Sequence, residues 1–311
     1  MTTPVVETHG LTRRYGLREA VNDLSLQVPA GSVYAVLGPN GAGKTTTIKM
    51  LMGIVEPTSG SASVMGHPST RLGPDEFRRI GYVSENQDLP SWMTVRQLID
   101  YYRPFYPTWD DALCTRLLAR FELPPGQKIG TLSRGMRMKV ALLTSLAYRP
   151  ELLVLDEPFS GLDPLVRDEF VSGVLELTEQ ERWTVFLSSH DVDEVERLAD
   201  WIGVLDAGRL YLSEPLAHLQ ERFRRLELET AAPATVPATI PDRWVAVETA
   251  GSRVRIVDSG FHKGDSEAAA RRAFEGAHLV AVEPLSLREI LVVLARRFRL
   301  EGSQARPGGR P

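Results

Sequence analysis

Hydrophobic and polar positions change their spacing along the chain, and these changes predict a series of strands and helices. Continuous apolar runs, typical of strands buried in a parallel sheet, occur at Val33–Leu37, Leu152–Leu155 and Thr184–Ser188. A stretch with helical spacing, residues 166–177, separates the last two runs. This alternation predicts an α/β domain whose mostly parallel sheet is covered by helices.

The N-terminal region has a different pattern. Residues 5–16 read as a strand that ends near an aromatic side chain, and residues 20–28 alternate apolar and polar positions before a Pro-Ala-Gly turn. We expect these two strands to pair in antiparallel fashion.

From Thr94 to about Ala147 the apolar spacing changes to the 3.6-residue period of helices. We therefore predict a helical insert, residues 86–150, between two strands of the sheet. Thr108 and Asp111 resemble a capping pair at the start of one helix. The insert is rich in aromatic side chains, most of which we expect in its core: Trp92, Tyr101, Tyr102, Phe105, Tyr106 and Trp109.

The composition changes again after residue 223. Residues 231–237 are rich in Pro, Ala and Thr, as flexible linkers are. We predict a main domain at 1–223, a linker at 224–242, a small α+β domain at 243–300 and a disordered tail at 301–311. Leu287, Ile290, Leu291 and Leu294 form an apolar stripe on the last predicted helix, which suits the core of the small domain or a surface for dimerisation or regulation.

Composition and charge exclude several classes of protein. The net charge of −4 over 311 residues does not favour binding to nucleic acid, and nucleic acid is not an expected partner. One cysteine, Cys114, permits no disulfide framework, and the six histidines show no metal-binding spacing. Because the start lacks a signal-peptide pattern and no run of about 20 apolar residues is present, we expect a cytoplasmic protein.

The segment Gly38-Pro39-Asn40-Gly41-Ala42-Gly43-Lys44-Thr45-Thr46, here called the phosphate-binding loop, matches G-x-x-x-x-G-K-[ST]. It lies between a predicted strand and a predicted helix. Its glycines allow backbone N–H groups to curl around phosphate oxygens at a helix N-terminus. Lys44 adds a positive charge for the outer phosphates, and Thr45 offers a hydroxyl to Mg²⁺. The alternative is a glycine-rich turn with a chance lysine.

Two carboxylates, Asp156 and Glu157, follow the apolar run 152–155 at the strand end where open α/β sheets bind ligands. We expect Asp156 to hold Mg²⁺ through water and Glu157 to polarise the attacking water in phosphoryl transfer. The alternative is two exposed acids at the end of a strand.

Together with these motifs, four further features resemble the nucleotide-binding subunits of ABC transporters. Leu132-Ser133-Arg134-Gly135-Met136 stands where that family carries its LSGGQ signature, and Ser160-Gly161-Leu162-Asp163 matches its D-loop. His190 matches the switch histidine, and Tyr15 stands where the family stacks an aromatic on adenine. The resemblance covers about Val5 to Phe223.

The resemblance implies a P-loop NTPase fold of the ABC ATPase type, with a mixed sheet, an antiparallel β subdomain, a helical subdomain and here a small C-terminal α+β domain. It implies ATP and Mg²⁺ as cofactors. It also implies that Ser133 and Gly135 face the ATP of a second subunit, that Asp163 of the D-loop takes part in nucleotide binding, and that His190 contacts the γ-phosphate. Ser133 additionally has the chemistry of a helix cap. For Tyr15, packing in the core is the alternative.

The chain departs from the family pattern at three positions. Arg134 replaces the first glycine of the signature and Met136 its glutamine. Glu85 occupies the Q-loop position, where the family has glutamine; a carboxylate there can contact Mg²⁺ or water but adds negative charge beside phosphates. Gln87 is the alternative if the loop register differs.

As a function, the resemblance implies an ATPase subunit that drives a separate membrane permease, in the manner of ABC-2-type exporters. The expected partners are that permease and a second ATPase subunit, for which a homodimer suffices. The expected location is the cytoplasmic face of the cell membrane. The alternative is a soluble ABC ATPase acting on ribosomes or DNA, although the chain lacks the tandem units and long coiled coils of those types.

Overall fold

The computed structural model describes residues 3–85, 87–181 and 183–304. The chain forms two compact units that divide between Glu214 and Pro215. The strands, in chain order, are β1 Val6–Tyr15, β2 Arg18–Val28, β3 Val33–Leu37, β4 Ser59–Val64, β5 His67–Pro68, β6 Ile80–Ser84, β7 Leu152–Asp156, β8 Thr184–Ser189, β9 Trp201–Asp206, β10 Arg209–Pro215, β11 Arg224–Glu229, β12 Trp244–Ala250, β13 Arg253–Asp258 and β14 His278–Pro284.

The α-helices, in the same order, are α1 Lys44–Leu51, α2 Pro74–Phe77, α3 Val95–Tyr102, α4 Asp111–Arg120, α5 Arg134–Leu146, α6 Pro164–Glu181, α7 Val192–Leu198, α8 Leu216–Arg222, α9 Asp265–Ala273 and α10 Leu287–Gln304. No helix in the described part of the chain has both the length and the hydropathy needed to cross a bilayer.

The central sheet of the first unit has six strands in the order β10-β9-β3-β8-β7-β6. β3 pairs in parallel with β8 and β9, and β7 pairs in parallel with β6 and β8. Every residue of β3, β7 and β8 is buried, which explains their continuous apolar sequences. The predicted parallel sheet is therefore confirmed, and the carboxyl ends of β3, β6, β7 and β8 lie at one edge.

A four-stranded sheet in the order β2-β1-β4-β5 forms a second layer. β1 pairs antiparallel with β2, with Val6 opposite Val28 and Tyr15 opposite Arg18, as the alternating sequence predicted. Buried side chains from β1, β2, the central sheet and α1 form one hydrophobic cluster, which includes Leu24, Ile48 and Phe186. This packing holds α1 between the two sheets.

The predicted helical insert is present and contains α3, α4 and α5. The capping prediction for α4 was wrong by two residues: Asp110, not Thr108, is the N-cap, and its carboxylate accepts from the Leu113 amide. Thr108 instead donates its hydroxyl hydrogen to the carbonyl of Tyr148 at 2.6 Å. Because the Thr108 hydroxyl is engaged with Tyr148, Asp110 takes the capping role.

The prediction that the aromatics of the insert lie mostly in its core was wrong. None of the six is buried, and Trp92, Tyr101 and Phe105 are more than half exposed, at 68%, 53% and 54%. On α3 and α4 the buried side chains are mostly aliphatic instead: Val95, Leu98, Ile99, Leu113, Leu117 and Leu118. Because helices present both faces to different surroundings, an aromatic at helical spacing does not by itself identify the buried face.

The second unit contains a four-stranded antiparallel sheet in the order β12-β13-β11-β14. Leu226 and Leu228 of β11 pack with Trp244 and with Phe274, which follows α9. The prediction of a linker over residues 224–242 was therefore wrong at its start, because β11 is an inner strand of this sheet. Its alternating Leu226 and Leu228 were the sequence signal for that strand.

The end of the described chain also differs from the prediction. α10 extends to Gln304, so residues 301–304, predicted as part of a disordered tail, are helical. Arg, Leu and Glu near its end are good helix formers, which favours the extra turn. The rest of the predicted tail, residues 305–311, lies outside the described residues. In the predicted stripe on α10, Leu287, Ile290 and Leu294 are buried and Leu291 is half-buried, in agreement with a role in packing.

Candidate functional site

Four segments that carry the predicted chemistry meet at the carboxyl edge of the central sheet. The phosphate-binding loop follows β3, Glu85 follows β6, Glu157 follows β7 and His190 follows β8. Ser84 lies opposite Asp156 in the sheet, and Asp156 lies opposite Ser188. Since parallel strands place their carboxyl ends together, residues far apart in the sequence come within hydrogen-bonding distance here.

Several positions of the phosphate-binding loop can be occupied only by glycine for steric reasons. Gly41 and Gly43 have φ of 82° and 108°, which side chains disfavour. A Cβ at Gly43 would lie 2.5 Å from the carbonyl oxygen of Ala20, and a Cβ at Gly38 would lie 2.1 Å from that of Leu205. The loop therefore fits between neighbouring backbones only because these positions carry no side chain.

Lys44, the first residue of α1, is buried with 5% exposure. Its Nζ donates to the carbonyl oxygens of Gly38 at 2.6 Å and Pro39 at 3.2 Å. Nζ also lies 2.8 Å from Oε1 of Glu157. A buried ammonium group needs such partners, and a phosphate entering the loop would compete with Glu157 for this charge.

Thr45, Asp156 and Ser188 form a chain of polar contacts beneath the loop. The hydroxyls of Thr45 and Ser188 both donate to Oδ1 of Asp156, at 3.0 and 2.7 Å. Burial raises the pKa of Asp156 above its ordinary value, against the lowering effect of these two hydrogen bonds. A hydroxyl and a carboxylate in contact are oxygen ligands of the kind that Mg²⁺ prefers, so these residues fit the expected ion.

Glu157 joins the loop to His190. Its Oε2 lies 2.7 Å from Nδ1 of His190, while its Oε1 faces Lys44. Its backbone amide donates to the carbonyl and to the hydroxyl oxygen of Ser188. The φ of Glu157 is 51°, an uncommon conformation for a residue with a side chain, and these hydrogen bonds hold it there.

Lys44, Thr45 and Glu157 are among the residues that line a cavity of about 470 Å³. It is lined by Tyr15, Arg18, Ala20, Asn40, Gly41, Ala42, Gly43, Lys44, Thr45, Thr46, Glu85 and Glu157. The alternative of a core position for Tyr15 is wrong, since its ring is 47% exposed and the Arg13 guanidinium lies 4.6 Å from its centre. Gly38 and Pro39 contribute their carbonyl oxygens to Lys44 rather than lining the cavity.

Arg18 is a cavity residue that the sequence analysis missed. It opens β2, and its guanidinium lies 3.5 Å from the position that a Cβ on Gly41 would occupy. A positive side chain beside the phosphate-binding loop suits a polyanionic ligand. The available signal was its place three residues after Tyr15, at the turn between two predicted strands.

Glu85 lies on the cavity wall, but its carboxylate already has partners. Its Oε1 accepts from the Ser160 hydroxyl at 2.8 Å and from the Arg134 guanidinium at 2.7 Å. Both contacts hold the pKa of Glu85 below its ordinary value, with Ser160 making the larger contribution. The alternative residue, Gln87, lines a neighbouring cavity of about 320 Å³ rather than the cavity at the loop.

The signature and D-loop residues do not line the cavity of their own chain. Ser133 caps α5 by accepting from the Met136 amide at 3.1 Å, as predicted. A Cβ on Gly135 would lie 2.8 Å from a methyl carbon of Val166, so α5 approaches the start of α6 closely there. Asp163 accepts from the Val166 amide at 3.1 Å. The signature and D-loop residues of one chain thus lie outside its cavity, near the starts of α5 and α6: Ser133, Gly135 and Asp163.

Behind His190 lies a buried carboxylate, Glu194, that the sequence analysis also missed. It accepts from the Ser189 hydroxyl at 2.9 Å and lies 3.0 Å from Nε of Arg167. Burial, the largest effect, raises its pKa to about 7; Asp191 adds to the rise, whereas Ser189, Arg167 and His190 oppose it.

We expect this carboxylate to make stability depend on pH. Since the pKa of Glu194 is raised from 4.5 to about 7 on folding, the folded state holds the proton more tightly, and stability from this group is lost as the pH rises through that window. The loss is about 3 kcal/mol. Urea unfolding at pH 5 and pH 8 should show a smaller change in Glu194→Gln than in the wild type. The same change at Glu196, two residues along α7, is the control; equal pH dependence in the wild type and Glu194→Gln would contradict the expectation.

Comparisons with known proteins place this site in a family. A family model described as ABC transporter matches residues 21–160. The chain is 34% identical over 223 residues to the bacitracin transport ATP-binding protein BcrA of Bacillus licheniformis, covering 71% of this chain and 73% of that protein. It is 36% identical over 252 residues to the Nod factor export ATP-binding protein I of Burkholderia lata, covering 79% of this chain and 82% of that protein.

Solved structures agree with these sequence matches. The structure of an ATP-binding subunit of an ABC transporter superposes with a TM-score of 0.62 at 28% identity, covering 70% of this chain and 92% of that one. CbiO1 from Clostridium perfringens, part of an ABC transporter complex, superposes with a TM-score of 0.60 at 26% identity, covering 68% and 89%. The expected P-loop ABC ATPase fold is thereby confirmed, and the chain belongs to the ABC transporter family as one of its ATP-binding ATPase subunits.

Proposed function

We propose that this chain binds and hydrolyses ATP with Mg²⁺ as half of a homodimer and powers export through a separate permease in the cell membrane. The observation that carries the proposal is the meeting of Lys44, Thr45, Asp156, Glu157 and His190 at one sheet edge, beside a cavity lined by the phosphate-binding loop. The permease would hold the subunit at the cytoplasmic face of the membrane.

Each residue of the edge has a proposed role. The backbone N–H groups of residues 41–46 and the Lys44 ammonium bind the phosphates, and the exposed ring of Tyr15 stacks on adenine. Thr45 and Asp156 would hold Mg²⁺, with Glu85 as a further oxygen donor, and the ion would supply positive charge beside the phosphates. Arg18 adds a positive charge at the mouth of the cavity.

Glu157 is the proposed general base. When ATP phosphates take over the Lys44 ammonium, Glu157 keeps its second oxygen on His190 and can accept a proton from water. His190 would then hold the carboxylate in place and contact the γ-phosphate. Because the backbone N–H of Glu157 is held by Ser188, the carboxylate of Glu157 would face the attacking water from a defined direction.

A second subunit would complete the site. Ser133 and Gly135 lie at the N-terminus of α5, where the helix dipole favours a phosphate, but they do not line the cavity of their own chain. Together with Asp163 they would face the ATP bound by the partner. In a symmetric dimer the same two surfaces meet twice, which gives two shared sites.

A permease would dock on the helical insert. Trp92, Tyr101 and Phe105 are exposed there, and the rings of Tyr101 and Phe105 lie 5.4 Å apart between centroids. Clustered exposed aromatics are typical of surfaces that bind another protein. Export is favoured by the relatives, whose names state bacitracin transport and Nod factor export.

The function can be tested with the purified protein and with a pull-down from membranes. We expect Mg²⁺-dependent ATP hydrolysis, loss of hydrolysis in EDTA, and one integral-membrane protein that co-purifies. Co-purification of ribosomes or DNA instead would favour the alternative of a soluble ABC ATPase. Absence of ATP binding in the wild type would contradict the proposal altogether.

The role of Glu85 has its own test. We expect Glu85→Ala to shift the Mg²⁺ dependence of hydrolysis, because Glu85 lies on the cavity wall, whereas Gln87→Ala should behave like the wild type. A defect confined to the Gln87 variant would assign the Q-loop role to Gln87.

A further inference from the structure

Two residues that depart from the family pattern lie in contact with each other. Glu85 replaces the Q-loop glutamine and Arg134 replaces a signature glycine, and Nη2 of Arg134 lies 2.7 Å from Oε1 of Glu85. They are 49 residues apart in the sequence. A glutamine and a glycine at these positions could not form an ion pair, so the two departures make one interaction.

Arg134 touches a third loop as well. The Ser160 hydroxyl donates to the same Oε1 of Glu85 at 2.8 Å. The next residue, Gly161, has a φ of 67°, and a Cβ there would lie 2.5 Å from Nη1 of Arg134. The guanidinium thus lies against the backbone of the D-loop while it binds the Q-loop carboxylate.

The position of Glu85 explains why this carboxylate needs a cation. It lines the same cavity as Glu157, the phosphate-binding loop and Arg18. A nucleotide brings several negative charges into that cavity, and an unpaired carboxylate on its wall would repel them.

We propose that Arg134 is a positioning residue that neutralises Glu85 and holds it against the D-loop, and so permits a carboxylate in the wall of the nucleotide site. The inference rests on the proposed binding of ATP and assigns a function to the altered signature. The signature segment would then act at two nucleotide sites. Arg134 acts at the site of its own subunit through Glu85, and Ser133 acts at the site of the partner subunit. The charge of Arg134 is the essential feature.

The test is a cycle of variants measured by titration with a fluorescent ATP analogue in EDTA, which separates nucleotide binding from metal binding and hydrolysis. We expect Arg134→Ala to weaken binding about tenfold, because Glu85 is then unpaired beside the phosphates. Adding Glu85→Gln to Arg134→Ala should restore binding close to the wild-type value. When Glu85 is already glutamine, the Arg134→Ala change should have little further effect on binding. Arg134→Gln, which keeps a long side chain, should behave like Arg134→Ala.

Arg116→Ala removes an exposed positive charge from α4, outside the cavity, and controls for net charge. Equal loss of binding in Arg134→Ala and in the double variant would overturn the proposal, since Arg134 would then act on the nucleotide or the fold rather than through Glu85. Unchanged binding in Arg134→Ala would overturn it too. A wild type that fails to bind the analogue would instead contradict the proposed function.

Discussion

Glu157→Gln will stop ATP hydrolysis while ATP still binds. The amide cannot accept the proton of the attacking water, and general bases contribute roughly 10²- to 10⁴-fold, so turnover should fall by at least about 100-fold. Binding should stay equal or become tighter, because the substitution removes an anion that lies 2.8 Å from Nζ of Lys44. With hydrolysis blocked, ATP should hold two subunits together as a stable dimer.

The measurement combines phosphate release with size-exclusion chromatography in ATP. Glu151→Gln is a matched control. Glu151 lies immediately before β7, at the opposite end of that strand from Glu157, and pairs with exposed Arg79. Unchanged turnover in Glu157→Gln would remove this residue from the mechanism.

Lys44→Ala is expected to abolish measurable ATP binding and also to destabilise the fold. The phosphates lose their buried cation, and Glu157 loses its ion-pair partner while only 11% exposed. Removing one member of a buried pair costs about 3 to 5 kcal/mol. Adding Glu157→Gln should recover much of the stability but none of the binding, because the amide carries no charge to leave unpaired.

Nucleotide titration and urea unfolding of the single and double variants measure these two effects separately. Lys49→Ala, in the same helix but outside the cavity lining, should bind ATP normally. If the double variant is as unstable as Lys44→Ala, the loss of stability does not come from the unpaired Glu157.

The sequence predicted which residues meet at the sheet edge where each prediction depended only on neighbours in the chain. The phosphate-binding loop required only a strand, glycines and a helix in order, and Asp156 with Glu157 required only a strand end. Because parallel strands share one edge, placing each motif after a strand was enough to bring Lys44, Asp156 and His190 together. These predictions rest on local rules that the fold preserves.

Predictions failed where the outcome depended on contacts between distant segments. The pairing of Arg134 with Glu85 requires α5 to pack beside the end of β6, which no local pattern encodes. Leu226 and Leu228 alternate like any short strand, but only their partners in β13 and β14 show that β11 is an inner strand of the sheet. Likewise, the exposure of Trp92 depends on what covers the insert and not on its spacing.

Complementation between two inactive variants tests the shared site most directly. Lys44→Ala lacks a working phosphate-binding loop but keeps its signature, and Ser133→Arg blocks the signature but keeps its loop. When the two proteins are mixed, each mixed dimer holds one complete site, so ATP hydrolysis should return although neither variant is active alone. If the mixture stays as inactive as its components, the site is not shared between subunits and the account of this ATPase is contradicted.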